Sequence, residues 1–214
     1  MKRDKLRMLV EIDIMVALST VLSLIRIIKL PYGGSVTLLS MLPICLISIK
    51  YGLGAGLAAG FMHSVIQLLM DLAEVMSWGL SALVLVGCIF LDYLLAYTIL
   101  GIAGMFRGKK FPGWMGGIAA ALFGRFVMHF LSGFILWGSY AADYGFSSPV
   151  LYSLAYNGLY MGLELVFTLV AAAILFNVPV MKRMLAPTGK ADKAEKAEKT
   201  ETEFSDPFDG KDEF

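Results

Sequence analysis

A small set of polar and aromatic side chains stands in stretches of the sequence that are otherwise apolar. In chain order the set is Asp92, Tyr93, His129, Trp137, Tyr152 and Asn157. A carboxylate and aromatic ring faces attract an organic cation, through charge and through cation–π interaction. Imidazole and carboxamide groups both donate and accept hydrogen bonds, which suits a heteroaromatic ring. The set therefore predicts a binding site for a small, aromatic, cationic molecule.

The spacing of these residues predicts two helical faces. One stripe consists of Arg125, His129, Gly133 and Trp137, and the other of Asn157, Tyr160 and Glu164. Spacings of three and four residues place side chains on one side of an α-helix. Gly133 carries no side chain, so a flat ligand could approach the backbone there. Two interpretations stay open for Arg125 and Glu164: a structural ion pair that joins the two helices, or contact with the ligand.

The composition indicates what kind of elements carry these faces. The chain has 214 residues, 58% hydrophobic and 16% charged, with a mean hydropathy of +0.74. Soluble domains carry roughly 25% charged residues. Most of the charged side chains lie in the first seven residues or from Lys182 onward, so too few remain to cover a water-soluble surface. We therefore predict an all-α integral membrane protein of the cell membrane, in contact with the lipid bilayer.

Hydrophobic windows predict six transmembrane helices. They cover approximately Val10–Ile28, Val36–Ile49, Gly54–Met70, Leu80–Met105, Gly113–Tyr140 and Val150–Val180. The second span is short for a bilayer core about 30 Å thick and contains Pro43, so it is expected to be tilted, kinked or partly re-entrant. Five spans is the alternative count.

The distribution of Lys and Arg predicts the orientation of these spans. Basic residues are concentrated before the first span, after the second and fourth, and at Lys182 and Arg183. The loops Asp71–Gly79 and Ala141–Pro149 contain none. Because cytoplasmic loops carry the excess of basic residues, both termini are expected to be cytoplasmic. The binding set then lies in the outer halves of the last three spans.

Residues 1–186 are expected to form the six-helix membrane domain, and the low-complexity, charged stretch 187–214 is expected to be a disordered cytoplasmic tail.

Three further residues receive structural interpretations. His63 has no polar neighbours of similar depth and is expected to make an interhelical hydrogen bond. Trp78 and Trp114 lie at span edges, where tryptophan commonly sits at the membrane interface.

The sequence lacks the residues and motifs that several classes of function require. A net charge of +1 without a basic stripe argues against a nucleic-acid partner. The two cysteines, Cys45 and Cys88, both lie in apolar runs and form neither a disulfide framework nor a Cys-rich zinc site. Neither HExxH nor GxSxG is present, and Gly104–Lys110 resembles a P-loop only loosely, since it is one residue short and lacks the Ser/Thr. We expect no enzyme activity, no metal and no cofactor.

Five segments of the chain resemble one family. They are Gly33–Leu38 with Ser40–Pro43, then Leu91–Tyr93, then Arg125–Gly133, then Trp137–Tyr140, and finally Tyr152–Asn157. In this order, on the predicted helices, they are similar to the thiamine-specific substrate-binding (S) components of energy-coupling factor (ECF) vitamin transporters. The similarity spans roughly residues 8–180.

The resemblance implies a function and a role for each matching residue. It implies six helices and high-affinity capture of thiamine from outside, with uptake driven by an ECF coupling transmembrane subunit and two cytosolic ATPase subunits. Asp92 would face the thiazolium cation, Tyr93 would line the pocket, and Trp137 would stack on a ring. His129 and Gly133 would lie against the ligand. The resemblance further assigns the edge of the aminopyrimidine to Tyr152 and Asn157.

Alternatives to this function remain open. The chain could be an S component for another vitamin, or a stand-alone proton-coupled thiamine carrier in which Asp92 and His129 relay protons. The expected mechanism of an S component includes occlusion of the site by the loop after the first helix, Pro31–Thr37. No basic side chain except Arg26 lies near the proposed mouth, which favours free thiamine over its phosphates.

Overall fold

The computed structural model describes residues 2–30 and 34–185, so the predicted tail lies outside the described residues. The helices are α1 (Lys2–Leu24), α2 (Leu42–Tyr51), α3 (Leu53–Ser77), α4 (Ala82–Cys88), α5 (Ala96–Thr98), α6 (Lys110–Ile135), α7 (Pro149–Asn177) and α8 (Pro179–Leu185). Other elements are strands β1 (Arg26–Lys29) and β2 (Ser35–Thr37), a π-helix (Ile89–Leu95) and two 3-10 helices (Ile99–Lys109 and Gly138–Tyr144). The continuous turns of residues 82–109 are called the fourth helical segment below.

Three described stretches are long and apolar enough to cross a membrane, judged by length and composition. They are Leu53–Ser77, Ala82–Ile135 and Pro149–Asn177. The second stretch is not one straight helix, because Lys110 has φ 53° and ψ −139°. The chain reverses there, since the backbone of Gly117 lies against Ala103 and that of Gly113 against Phe106. The fourth helical segment and α6 therefore run antiparallel, side by side.

Small residues allow α2, α3 and the fourth helical segment to pack backbone against backbone. A Cβ atom on Gly101 would lie 2.3 Å from the amide nitrogen of Leu57, and one on Gly104 would lie 2.2 Å from the carbonyl oxygen of Ser48. The Ser48 hydroxyl donates to the Gly101 carbonyl and accepts from the Gly104 N–H at 2.8 Å. Such close contact is how helices associate in membranes, where helix association gains little from the hydrophobic effect.

The all-α prediction is wrong for the segment after α1. This helix ends at Leu24, four residues before the predicted end, and β1 pairs with β2 in an antiparallel hairpin. Arg26 and Lys29 are two of the four residues of β1, and they form ion pairs with Asp71 and Glu74 near the end of α3. Extension of α1 would instead carry both cations along a lipid-facing helix, which is costly.

The second predicted span is also wrong at its start. Val36 belongs to β2, and α2 begins only at Leu42. Pro43 lies in the first turn of α2, where a missing N–H costs nothing, whereas a helix from Val36 would hold proline in its interior. At ten residues, α2 is about 15 Å long and does not cross a bilayer core as a helix.

Both ends of the described chain lie at the same end of the bundle. Glu11 of α1 binds Lys50 Nζ at 2.5 Å and the Tyr51 hydroxyl at 2.7 Å, at the C-terminal end of α2. Arg107 donates to the Lys50 carbonyl at 3.3 Å. Near the C-terminal end of α7, Phe176 packs on Trp114 at the beginning of α6. We call this the basic end, and the β-hairpin with the last turns of α3 the hairpin end.

Candidate functional site

One cavity opens toward the hairpin end and is lined by every residue of the predicted binding set. Asp92, Tyr93, His129, Gly133, Trp137, Tyr152 and Asn157 line it. Further lining residues are Ser23, Arg26, Gly34, Ser35, Thr37, Ser40, Gln67, Asp71, Trp78, Cys88, Tyr97, Arg125, Tyr156, Tyr160 and Glu164. The empty space among these side chains is about 920 Å³ when the open solvent at the mouth is included. Helices distant in sequence thus bring the predicted residues together.

Asp92 is the centre of a hydrogen-bond network between the fourth helical segment and α6. Its Oδ1 lies 2.9 Å from His129 Nδ1, and its Oδ2 accepts from Ser132 at 2.5 Å and from Trp137 Nε1 at 3.5 Å. Asp92 itself lies in the π-helix, a local widening that is frequent at functional sites. The network holds a carboxylate in place against the cavity, where it presents negative charge to a ligand.

Tryptophan and tyrosine rings form the wall near the mouth. Trp137 packs edge-on against Trp78, with ring centroids 5.5 Å apart, and Tyr152 stacks on Tyr144 at 5.5 Å. Trp78, at the end of α3, also lines the cavity, a role that the sequence did not predict for it. Trp114 is buried within the protein, and its Nε1 donates to the Arg107 carbonyl.

Tyrosine rings of α7 continue this lining. Tyr152, Tyr156 and Tyr160 follow one another at four-residue spacing, and neighbouring rings are 5.8 and 5.9 Å apart. Tyr156 was not predicted, although the spacing i, i+4, i+8 is visible in the sequence. Between these rings, Asn157 Oδ1 accepts from the Tyr160 hydroxyl at 3.1 Å, and Asn157 Nδ2 donates to Ser153.

Gly133 lines the cavity and also allows α6 to pack closely against α7. A Cβ atom at this position would lie 2.4 Å from Ser153 Oγ and 2.6 Å from Asn157 Nδ2. The missing side chain therefore allows α6 to approach α7, and it lets the Asn157 amide lie against the backbone of α6.

Arg125 and Glu164 do not form the ion pair that one interpretation predicted. Glu164 Oε1 instead accepts from the backbone N–H of Thr37 at 2.5 Å and from its hydroxyl at 2.7 Å. Arg125 Nε donates to His129 Nε2 at 3.2 Å, and its guanidinium lies 4.0 Å above the Tyr97 ring. Both side chains line the cavity, so the geometry leaves them available to a ligand.

The β-hairpin lies at the mouth and is tied to α3. Arg26 Nη2 is 3.0 Å from Asp71 Oδ1, and Lys29 Nζ is 3.5 Å from Glu74 Oε1. The Tyr93 hydroxyl donates to the other oxygen of Asp71 at 3.4 Å. The only basic residue predicted near the mouth is thus paired with a carboxylate.

His63 lies outside the cavity, between α1 and α3. Its two ring nitrogens are each 3.3 Å from a hydroxyl of α1, those of Ser19 and Thr20, and its ring packs edge-on against Tyr97. This agrees with the structural interpretation of His63. Among the described residues, no group of three His, Cys, Asp or Glu side chains could hold a metal ion.

Comparison with known proteins gives the same family along most of the chain. The family model described as "Thiamine transporter protein" matches residues 9–183. The thiamine transporter ThiT of Bacillus subtilis is 31% identical over 183 residues, covering 78% of this chain and 89% of that protein. ThiT of Lacticaseibacillus paracasei is 28% identical over 163 residues, covering 71% and 74%.

A solved structure has the same fold. The structure of ThiT from Listeria monocytogenes superposes with a TM-score of 0.70 at 22% identity, over 84% of this chain and 98% of that one. At this identity the structural similarity shows the fold alone. The family model and the Bacillus relative show similarity of sequence. The chain is a membrane protein and belongs to the thiamine transporter family, a family of transporters rather than enzymes.

Proposed function

We propose that this chain captures thiamine with high affinity at the outer face of the cytoplasmic membrane and acts as the S component of an ECF transporter. The observation that carries the proposal is the cavity in which a carboxylate, held by His129 and Ser132, faces stacked aromatic rings. Membership of the thiamine transporter family supports thiamine as the ligand. An ECF coupling transmembrane subunit and two cytosolic ATPase subunits are the proposed partners.

In this proposal seven of the lining residues contact the ligand. Asp92 neutralises the thiazolium, and Trp137 stacks on a ring of the ligand. Tyr93, His129 and Gly133 contact the ligand along its length. Tyr152 and Asn157 flank the aminopyrimidine.

The chain is proposed to pass the bilayer six times, with the basic end in the cytoplasm. Lys50, Arg107 and the Lys182-Arg183 pair all lie at that end, which matches the excess of basic residues on cytoplasmic sides. The short helix α2 completes its pass together with β2 and the turn between them. The cavity then opens outward, and residues 187–214 are proposed to be a cytoplasmic tail.

The β-hairpin is the proposed cover of the occupied site. Gly34, Ser35 and Thr37 line the cavity, and the ion pair between Arg26 and Asp71 holds the hairpin to α3. Closing of such a cover sequesters the ligand and slows its release. Residues 31–33 of the predicted loop lie outside the described residues.

We expect Arg26→Gln to speed thiamine dissociation about two- to fivefold. The effect is small because the pair is partly exposed, with side-chain exposures of 27% and 22%, and such pairs contribute about 1 kcal/mol or less. Stopped-flow displacement of bound thiamine measures the rate. Lys29→Gln, which removes the more exposed pair with Glu74, serves as the matched control and should leave the rate unchanged. Equal rates in Arg26→Gln and wild type would show that this pair does not hold the cover.

Fluorescence titration of the detergent-purified protein tests the proposed ligand. Thiamine is expected to quench tryptophan emission saturably, whereas riboflavin and biotin are expected to give no saturable change. Trp137 lines the cavity and should report stacking, so Trp137→Phe should lose most of the signal. Trp114→Phe is the matched control, because Trp114 packs on Phe176 at the basic end. Absence of quenching by thiamine in the wild type would refute the proposed ligand.

Uptake into cells tests the proposed energy source. Thiamine accumulation should require co-expression of the ATPase and coupling subunits and should persist when the proton gradient is collapsed. Accumulation without these subunits that disappears with the proton gradient would favour a proton-coupled carrier instead.

A further inference from the structure

The β-hairpin contacts α7 as well as α3, and its contact with Glu164 of α7 lies at the base of the hairpin. Thr37 pairs with Arg26 at the end of the hairpin that is nearest to α1 and α2 along the chain. Glu164 Oε1 accepts from the backbone N–H of Thr37 at 2.5 Å and from its hydroxyl at 2.7 Å. These two hydrogen bonds attach the base of the hairpin to a helix that is distant in the sequence.

The contact between Thr37 and Glu164 is more deeply buried than the ion pairs that join the hairpin to α3. Glu164 is fully buried and Thr37 is 8% exposed, whereas the side chains of the two ion pairs are between 22% and 56% exposed. Exposed ion pairs contribute little, because water and salt screen them. A buried donor that loses its acceptor is left without a partner, which is costly. The base is therefore expected to stay attached when the outer contacts of the hairpin open.

The tip of the hairpin makes a weaker contact with α7. Gly34, which precedes β2, donates from its backbone N–H to the Tyr156 hydroxyl at 3.3 Å. A Cβ atom on Gly34 would lie 2.6 Å from that oxygen, so a larger residue would have to push the tyrosine aside. This contact is a single neutral hydrogen bond and is long for an N–H donor. The hairpin is thus attached firmly to α7 at Thr37 and loosely at Gly34.

Thr37 is also fixed from the side that leads to α2. Its hydroxyl lies 2.7 Å from Ser40 Oγ, and its carbonyl accepts from the N–H of Leu39 at 3.0 Å. Leu39 has φ 59°, a backbone conformation that residues with a side chain rarely adopt. The chain therefore turns sharply between the hairpin and α2, and Thr37 is the residue that both the turn and Glu164 hold in place.

We propose that Glu164 is a positioning residue that anchors the base of the β-hairpin to α7, so that the hairpin opens and closes about Thr37 while its tip leaves and returns to Tyr156. Gly34, Thr37 and Tyr156 all line the cavity, so this movement uncovers the cavity from the tip of the hairpin. Glu164 then sets how long a bound ligand stays, and this role needs no contact between Glu164 and the ligand. The inference rests on the proposed function and deepens it, because it names the residue on which the cover pivots.

Glu164→Leu tests the anchor by removing the acceptor of both Thr37 donors in a side chain of similar size. We expect thiamine to dissociate about tenfold faster or more. Association should not be slower, because the cover opens more readily. Glu164→Gln keeps an oxygen that accepts from the same two donors, so its dissociation rate should stay within about twofold of the wild type. Stopped-flow mixing and displacement, followed by tryptophan emission, measure both rates.

Hydrogen–deuterium exchange tests the same anchor without any ligand. In the ligand-free protein, Glu164→Leu should raise the exchange of the β1 and β2 amides, because these amides become exposed when the hairpin opens. The amides of α6 should exchange as they do in the wild type, which separates loss of the anchor from a general loss of packing. Glu164→Gln should give the wild-type pattern throughout. Mass spectrometry of peptides from the exchanged protein locates the change.

Thr168→Val is the matched control for both measurements. Thr168 is fully buried one turn further along α7 and does not line the cavity. Its dissociation rate and its hairpin exchange should equal those of the wild type. Faster dissociation from Glu164→Leu with unchanged hairpin exchange would overturn the anchor and indicate a ligand contact instead. An unchanged dissociation rate would overturn it as well. Failure of the proposed function would instead show in the wild type, as no binding of thiamine.

Thr37→Val examines the anchor from the side of the hairpin and serves if Glu164→Leu does not fold. Valine nearly keeps the volume of threonine and retains the backbone N–H that donates to Glu164, so only the hydroxyl donor is lost. Thiamine should therefore dissociate about two- to fivefold faster than from the wild type. Exchange of the hairpin amides should rise in the same variant. Wild-type values of both the rate and the exchange would overturn the role of Glu164.

Discussion

Asp92→Asn is expected to lower thiamine affinity about 100-fold or more. The carboxylate lines the cavity and is held by His129 and Ser132, and a cation bound beside it loses its water. Removing one partner of a buried charge pair costs about 3 kcal/mol or more, which corresponds to a factor above 100 in affinity. Fluorescence titration of the variant measures the loss.

A neutral analogue of thiamine separates the charge from packing. An analogue whose thiazolium is replaced by an uncharged ring of the same shape should lose less than tenfold in Asp92→Asn, because asparagine keeps nearly the same volume. Asp143→Asn is the matched control, since Asp143 is exposed in the 3-10 helix at the hairpin end. If the cationic and the neutral ligand lose affinity by the same factor, Asp92 orders the site rather than binding the cation.

Gly117→Ala is expected to destabilise the protein by about 3 kcal/mol. A Cβ atom at this position would lie 1.9 Å from the carbonyl oxygen of Ala103, which is backbone and cannot rotate away. Relief requires α6 to move from the fourth helical segment, and overpacking of this kind costs about 1–3 kcal/mol or occasionally more. Thermal unfolding in detergent, followed by tryptophan emission, should show a lower midpoint.

The neighbouring glycine provides the control for this prediction. Gly116 lies in the same helix, and no atom lies within 4 Å of a Cβ built there. Gly116→Ala should leave the midpoint unchanged or raise it slightly, because alanine favours the helix over glycine. If the two variants unfold at the same temperature, the close approach of α6 to Ala103 does not determine stability.

The sequence alone predicted which residues line the cavity better than it predicted the elements at the start of the chain. The stripe from His129 to Trp137 depends only on the period of a helix, which is local. The β-hairpin depends on Asp71 and Glu74, some 45 residues away along the chain, and on the position of Pro43 in the following helix. Hydropathy could not distinguish the β-hairpin from the neighbouring spans, because β1 and β2 contain isoleucine and valine as those spans do.

One of the two interpretations of Arg125 and Glu164, the ion pair, failed for a related reason. The two residues lie on neighbouring helices at compatible depth, which allowed either an ion pair or contact with the ligand. In the fold, Thr37 and His129 take one end of each side chain. The reach and rotation of the two side chains depend on these contacts, which no spacing in the sequence encodes.

The sequence by itself determined the membrane character, the approximate extent of the long apolar helices, the family and the types of residue that line the cavity. These follow from hydropathy and helical period, because an apolar bilayer allows few solutions for the backbone. Only the tertiary structure decided how the cavity is built: the hairpin residues that line it, the tyrosine and tryptophan walls, and the hydrogen bonds of Asp92, Glu164 and Arg125. Hydrogen bonds are short and directional, so their partners are fixed only when helices distant in sequence have packed together.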